Sequence, residues 1–544
     1  MKRAKAMRPN DAQAASRPAA PPAAPGVPWA WSAAVALAAF VVYLLQSPPV
    51  SGDKDSAEFT LVLALNGVAH PTGYPVFTLL GHAWVLLIHS IGATWAYAAN
   101  SWSALGGAVA VFFLHRLALR LIAPARIPGR RANFILGWLP VALFALNPIW
   151  TYETTLAEVY SWHVAWVLGT ALYFTWLVGV LANGSEWAIR RLHAHAAAWG
   201  LLCGLGGAHH ATSVFVAAPL SLALLVVLAA RRRLNPALVP TVLLGTLVPL
   251  ASYAFIYWRA LHPAAYQWSN LAPGLDGLRF HMTGAQYWQN LGRFDPSPEQ
   301  VRFLKSYVLP ILFPGLVLQI LNALRARDLG GRTIAWTLAF SAAAGTAYAF
   351  NYAVIDPSSY FLYPMALGSA ALPALIAGLW AVGTGARRAA VAMATIASGV
   401  ALALWAPWLK TGFQRVELYV RFDRYVHSMW DAIPDARAFV FWTDDMYTKL
   451  LEYQLLDHQK PGVEVLHAYN ICNAAPRARF IARHGFDPGQ RLDRLILATP
   501  GGKDSVSGSQ AISAVEGDVN DSSPLPVIHF DPAKQTVRLL RKAK

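Results

Sequence analysis

The chain has 544 residues, of which 56% are hydrophobic and only 13% charged, and its mean hydropathy is +0.38. A soluble protein of this length needs far more charge to cover its surface, so the composition indicates a polytopic membrane protein. The formal net charge of +16 does not call for a nucleic-acid partner, because the basic residues sit in short clusters between apolar runs, as in cytoplasmic loops drawn to anionic lipid.

Residues 1–27 are rich in Ala and Pro and carry Lys2, Arg3, Lys5, Arg8 and Arg17. They read as a disordered cytoplasmic N-terminus. The run Ala30–Gln46 has no clear small-residue cleavage site after it and reads as an uncleaved anchor. Further apolar runs cover Trp95–Ala123, Phe134–Leu146, Val164–Ala182, Ala196–Ala230, Pro236–Tyr257, Tyr307–Leu324, Thr333–Phe350, Tyr360–Val382 and Ala389–Leu409. Crossing a bilayer takes roughly 20 such residues. As one helix, Ala196–Ala230 would be about 50 Å long, so it must turn back, and the Gly-rich "GGAHHATS" (Gly206–Ser213) is the place.

The stretch Tyr74–Ile91 is the ambiguous one. If it crosses, the clusters Arg116/Arg120, Arg126/Arg130/Arg131, Arg190/Arg191, Arg231/Arg232/Arg233, Arg325/Arg327 and Arg387/Arg388 all fall outside, against the positive-inside rule. If it dips into the outer leaflet, every cluster becomes cytoplasmic, and its Pro75, Gly81, His82 and His89 suit that path. The expected architecture is an all-α polytopic bundle of about 11 spans over residues 28–410, with a re-entrant first outer loop at 47–94 and an extracytoplasmic domain at 411–544. In that last region "ARAFVFWTDDMYTKLLEYQ" reads as strand, turn and helix, with Asp444 and Asp445 either capping the helix or contacting an acceptor. "RLILATPG" and "TVRLLRK" read as further strands of a small α/β domain, and Asp504–Ser523 as a mobile loop. The two cysteines, Cys203 in an apolar run and Cys472 in this polar region, supply neither a disulfide framework nor a metal site.

This topology gathers the unusual polar groups on the outer face. The loop "SGDKDSAEF" holds Asp53, Asp55 and Glu58. Asp55 and Glu58 have capping-box spacing, with Asp55 as N-cap, Glu58 reaching back to it and Gly67 ending the helix. The same spacing puts both carboxylates on one face, so capping and chemistry are compatible. "HPTGYP" is a turn in which Gly73 permits positive φ, while His70 and Tyr74 offer handles for a phosphate or a sugar. Glu153, Glu158 and Tyr160 lie on the short connection Trp150–Trp162, and His209 and His210 on the turn above. Arg259 sits at the outer end of a span against the charge trend, which fits pairing with an anion. Asp356, in "IDPSSYFLYP", either caps the following helix or faces the site.

The segment "DSAEFTLVLALNGVAHPTGYPVFTLLG" resembles the signature of a family of multi-spanning membrane proteins similar to protein O-mannosyltransferases, formerly a domain of unknown function. That family has Asp-Ser-Gly-Glu followed by His-Pro-Pro-Gly-Tyr-Pro. Asp55, Ser56, Glu58, His70, Pro71, Gly73, Tyr74 and Pro75 match, while Ala57 replaces the glycine and Thr72 the middle proline. Weaker echoes are Glu158-Val159-Tyr160, "GLGGAHHAT", "HMTGAQY", the Asp356–Pro364 loop and "FVFWTDDMYTKLLEYQ".

The resemblance implies the GT-C fold and a membrane glycosyltransferase. Its donor would be a polyprenyl-phosphate-linked hexose such as mannose, and its acceptor a hydroxyl of a protein or glycolipid. In those terms Asp55 is the expected base, with Glu58 and Glu158 as further catalytic carboxylates or orienters of the sugar. Asp53, His70, Tyr74, Tyr160, His209, His210, Arg259 and Asp356 are the expected substrate-binding residues, Arg259 and the two histidines toward the phosphate. No cofactor is required, and no ligand spacing demands a metal, although the acid cluster leaves a divalent cation open. The expected setting is a bacterial inner membrane with the site facing the periplasm. A polyprenyl-lipid transporter or flippase is the rival, disfavoured because no internal repeat is visible and the charges lie at one surface rather than the midplane.

Overall fold

A computed structural model describes residues 27–541 apart from 54, 183–188, 355–356, 443–445, 468–469, 501, 503–505, 507 and 532–535. The expected Asp356, Asp444 and Asp445 therefore lie outside the described residues. All the long apolar runs fold as helices, and the molecule is a multi-pass helical bundle carrying one small sheet. Among the described residues, seven helices are long and apolar enough to cross a membrane, or eight if Arg130–Phe144 and Pro148–Thr155, bent by 81°, form one span. The count of about 11 is reached only by adding Trp29–Gln46, Ile189–His209 and Leu329–Ala349, which are helical but fall short of that test. The last two are diluted by the Gly, Ala, Ser and His residues that let helices in a bilayer pack closely.

Close packing is visible where Ile189–His209 lies along Leu238–Leu250. A Cβ on Gly200 would run into the carbonyl oxygen of Val242, and one on Gly204 into that of Thr246, so the two backbones touch. Elsewhere buried polar side chains join helices, with Ser32 Oγ 2.8 Å from His115 Nδ1, and Tyr43 donating to the Ala145 carbonyl at 2.8 Å. Such bonds contribute about 0.6–2 kcal/mol each in a bilayer.

The first loop folds into two helices, Asp55–Leu65 and Pro75–Ser90. The second has 16 residues, about 24 Å at 1.5 Å per residue, which is short of a ~30 Å hydrocarbon core. It rests on Asp55–Leu65, where His82 Nδ1 lies 2.7 Å from the Leu63 carbonyl oxygen. At the end of the first helix it is Asn66, not Gly67, that turns left-handed, with φ 50°. Gly67 then closes the end through its N–H to the Val62 carbonyl at 2.9 Å, and it is small because the Tyr266 carbonyl occupies the space of a side chain.

The boundary expected at residues 410/411 falls inside one unbroken helix, Thr384–Asp431, of 48 residues. The polar residues from Lys410 onward mark a change of composition along this helix, not its end. Beyond it lie β1 (Ala438–Trp442), β2 (Val463–His467), β3 (Val527–Asp531) and β4 (Thr536–Arg541), in the order β2-β1-β3-β4. β1 is parallel to both neighbours, pairing Val440 with Val465 and with Ile528, while β3 and β4 are antiparallel. The small α/β domain expected from sequence is present, with two corrections. "RLILATPG" is not a strand but the helix Gln490–Ala498, since Leu492, Leu495 and Ile496 share a helical face. Within Asp504–Ser523, Gly508–Ser522 is a helix, not a loop. Its fully buried Val515 and Val519 form an apolar stripe that the Ser, Gly and Asp content masks.

Candidate functional site

The turn after the first-loop helix brings His70 back over its first turn. Glu58 does not reach back to the helix start as a capping box requires. Its carboxylate instead accepts the His70 backbone N–H at 2.6 Å and approaches the ring Nδ1 at 3.2 Å. His70 Nε2 faces the Tyr74 hydroxyl at 3.0 Å and an Asp55 oxygen at 3.9 Å. Gly73, with φ 86°, makes this turn possible, because a side chain there would collide with Ile256 and His281.

The electrostatics follow from burial. Glu58 is 4% exposed, and desolvation pushes its carboxyl up, with His70 partly offsetting the effect. Burial alone would lower the His70 pKa, but the carboxylates of Glu58 and Asp55 outweigh it and raise it to about 9. The pair therefore holds a proton, and His70 is a cation at neutral pH. Asp55 differs from Glu58 in that half of its side chain is exposed. Ligand atoms of Asp55, Glu58 and His70 lie within 4.8 Å of one another, close enough to hold one divalent cation.

These residues open into a cavity of about 1190 Å³ lined by Asp55, Glu58, His70, Tyr74, Glu158, Tyr160 and His210 among the expected residues. The Ser103 hydroxyl pins the Glu158 backbone by donating to its carbonyl at 2.8 Å and accepting its N–H at 2.9 Å. His210 Nδ1 accepts the Thr212 N–H at 3.2 Å, which leaves the ring proton on Nε2. Burial, then its neighbours His209 and His70, lower the His210 pKa to about 3, so it is a neutral donor.

Three expected residues lie elsewhere. Asp53 does not line the cavity: its Oδ1 accepts the hydroxyls of Tyr152 at 2.9 Å and Tyr419 at 2.7 Å. His209 is a packing residue, its Nε2 3.2 Å from the Val159 carbonyl oxygen. Arg259 stands outside the cavity with its guanidinium over the Trp258 ring at 4.7 Å, so it is not placed to hold a phosphate there. Its guanidinium lies against the rings of Trp258 and Phe255.

The walls also contain groups that sequence reasoning missed. Tyr287, Tyr348, Tyr352 and Tyr360 extend an aromatic wall from Tyr160, with the Tyr160–Tyr360 centroids 5.6 Å apart and Tyr352–Tyr360 5.1 Å. The motifs "HMTGAQY" and "IDPSSYFLYP" contained two of these tyrosines, and the run of loop tyrosines was the available signal. Outside the cavity, half-buried Arg415 of the long helix donates to the Pro148 carbonyl at 2.9 Å and lies 5.5 Å from the Tyr152 ring centre. The C-terminal domain reaches the same cavity through Tyr447, Thr448 and Asn470. It is held there by buried Lys449, whose Nζ bonds the Ser51 hydroxyl at 2.6 Å and an Asp423 oxygen at 2.8 Å, while Ser51 donates to Glu452 at 2.6 Å.

With this geometry in place, comparisons with known proteins can be set beside it. Residues 55–234 match the family model of the protein O-mannosyl-transferase TMEM260 N-terminal domain. A protein O-mannosyl-transferase tmem260 of Dictyostelium discoideum is 26% identical over 256 residues, 45% of this chain and 29% of that relative. The chain thus spans under a third of that relative's length. Two solved structures superpose in part. ArnT from Cupriavidus metallidurans bound to undecaprenyl phosphate does so with TM-score 0.47, 14% identity and coverage of 78% of this chain and 83% of that one. The Archaeoglobus fulgidus oligosaccharyltransferase in complex with Zn and sulfate has TM-score 0.41, 13% identity, and coverage of 76% and 61%. The matched segment begins at Asp55 itself and takes in the His70 turn, Glu158 and His210. Across that segment the chain is similar in sequence to the protein O-mannosyl-transferase TMEM260 N-terminal domain.

Proposed function

We propose that the protein is a membrane glycosyltransferase that moves a hexose, such as mannose, from a polyprenyl-phosphate donor to a hydroxyl of an acceptor protein. The observation that carries this reading is the half-exposed Asp55 carboxylate beside the Glu58–His70 pair, at the mouth of one cavity inside the matched segment. What the Dictyostelium relative's name says of its acceptor and sugar supports the protein and mannose parts. The ArnT structure's bound undecaprenyl phosphate shows the kind of lipid meant, while the partial superposition itself adds no weight.

The phosphate leaves readily, so the enzyme need only deprotonate the acceptor and neutralise the departing charge. Asp55 takes the acceptor hydroxyl proton as the oxygen attacks the anomeric carbon. The bond from that carbon to the phosphate oxygen breaks, and its electron pair leaves with the phosphate. One displacement inverts the anomeric configuration. Cationic His70 and the Nε2–H of His210 face the leaving group, in place of Arg259. Glu58 holds His70 in its charged form, Glu158 orients sugar hydroxyls, and the tyrosine wall offers faces to the ring. No cofactor enters this scheme. The cavity is assigned to the outer side of the membrane because the basic clusters occupy the connections at the other ends of the spans.

The test is Asp55→Asn. Asparagine serves a helix start about as well as aspartate, so folding should persist while sugar transfer by purified protein falls by about 10²–10⁴, or 3–5 kcal/mol. Near-normal transfer by the folded variant would remove Asp55 as the base. Movement of donor between leaflets by wild type without transfer would favour the flippase reading instead.

A further inference from the structure

The C-terminal domain meets the cavity by one particular edge. Tyr447 and Thr448 follow the carboxyl end of β1, and Asn470 follows that of β2, the two strands being parallel. In open parallel sheets the carboxyl ends of the strands are where ligands bind, because the loops there diverge and leave a crevice. The three residues form one patch: Asn470 Nδ2 donates to the Tyr447 hydroxyl at 3.4 Å, its backbone N–H reaches His467 Nδ1 at 3.4 Å, and the Tyr447 and His467 rings meet edge-on at 4.9 Å. All three line the cavity that holds Asp55. The patch is fixed rather than loosely laid on, since Lys449, the residue after Thr448, is the buried centre of the bonds to Ser51, Asp423 and Glu452.

We infer that this edge is the acceptor subsite, and that it holds an extended hydroxyl-bearing peptide by its backbone. The inference rests on the glycosyltransferase reading above. The patch offers two hydroxyls and a carboxamide, neutral groups that both donate and accept, which is what a peptide unit with one N–H and one C=O requires. Tyr447, Thr448 and Asn470 themselves carry no charge for a lipid phosphate. A lipid-borne donor arrives from the bilayer, through the helical part of the cavity, whereas this wall belongs to the domain beyond it. The bound peptide would present its Ser or Thr hydroxyl to Asp55 from the opposite partner of the cavity.

The experiment uses the purified full-length protein, a labelled short-chain polyprenyl-phosphate mannose and a pool of synthetic Ser/Thr-containing peptides. Asn470→Ala and Tyr447→Phe should raise the KM for peptide by about 5–10-fold, the loss of one hydrogen bond of 1–1.5 kcal/mol, with kcat and donor affinity within twofold of wild type. Restoring a carboxamide with Asn470→Gln should recover part of the loss, which a merely structural role would not do. An unchanged peptide KM in both variants overturns the subsite while leaving the activity standing. Transfer by wild type to extracted glycolipids but to no peptide overturns the peptide class. No transfer to anything by wild type removes the glycosyltransferase reading and the subsite with it.

Discussion

At the scale of single residues, the site is organised by who is left exposed. Glu58 and Asp55 are three positions apart, yet one is committed to His70 and the other faces the cavity. This cluster was legible in the sequence because its members lie close along the chain, between Asp55 and His70, beside a turn whose Pro and Gly announce it. Tyr447 and Asn470 were not legible, since only tertiary contact brings them to the cavity of Asp55 from far along the chain. A second burial effect gives a pH prediction. Burial pushes the Glu452 carboxyl up to about 7, with Lys449 and Ser51 only partly offsetting it. An unfolded glutamate ionises near ~4.3. Between those values the folded state keeps a proton that the unfolded state has lost, so stability falls as pH rises through this window and levels off above it. The full effect is at most on the order of 4 kcal/mol. Thermal unfolding in detergent should therefore be less favourable to the folded state at pH 8 than at pH 5.5. Glu452→Gln should flatten that difference; an unaltered pH slope in the variant would contradict the assignment.

At the scale of elements, hydropathy found the long helices of the membrane part, because lipid exposure demands unbroken apolar surface, but not short ones such as Pro148–Thr155 and Leu275–Met282. Three of the helices it gives fall short of the length and apolarity of a span, because helices facing other helices can be small and polar. In the C-terminal domain the same reasoning weakened, as short amphipathic helices and strands share similar apolar content and only periodicity separates them. The contact between Ile189–His209 and Leu238–Leu250 supplies a matched test. Gly204→Ala places a methyl against the Thr246 carbonyl, whereas Gly207→Ala meets only Leu250 Cδ2 at 3.4 Å. Both gain the same helix propensity, so their difference isolates the contact. Gly204→Ala should be the less stable by about 1–3 kcal/mol, read from thermal denaturation in detergent, and equal stabilities would mean the helices are not apposed as described.

At the scale of the whole molecule, the arrangement requires that the first loop and the C-terminal domain share one side of the membrane. In a protein with Cys203 and Cys472 replaced, a cysteine at Ser90 should be labelled by an impermeant reagent from outside, and one at Gly129 should not. Both positions are exposed in the structure. The reverse pattern would place the cavity in the cytoplasm. The helix Thr384–Asp431 has a consequence on the same scale. Its 48 residues form a rod of about 72 Å, tied in its last third to the first loop through Tyr419 and Asp53, and one turn later to the C-terminal domain through Asp423 and Lys449. The two ties thus have a fixed angular phase, like cams on one shaft. One alanine inserted between Tyr419 and Asp423 turns everything beyond it by about 100° and swings the Tyr447–Asn470 edge off the cavity. Transfer to peptide should then fail while donor binding survives, and a substitution of any single residue in that interval should do far less. What the shaft preserves is timing between two parts that never need to move: the length of the chain between them can change in evolution only in steps that return the same angle.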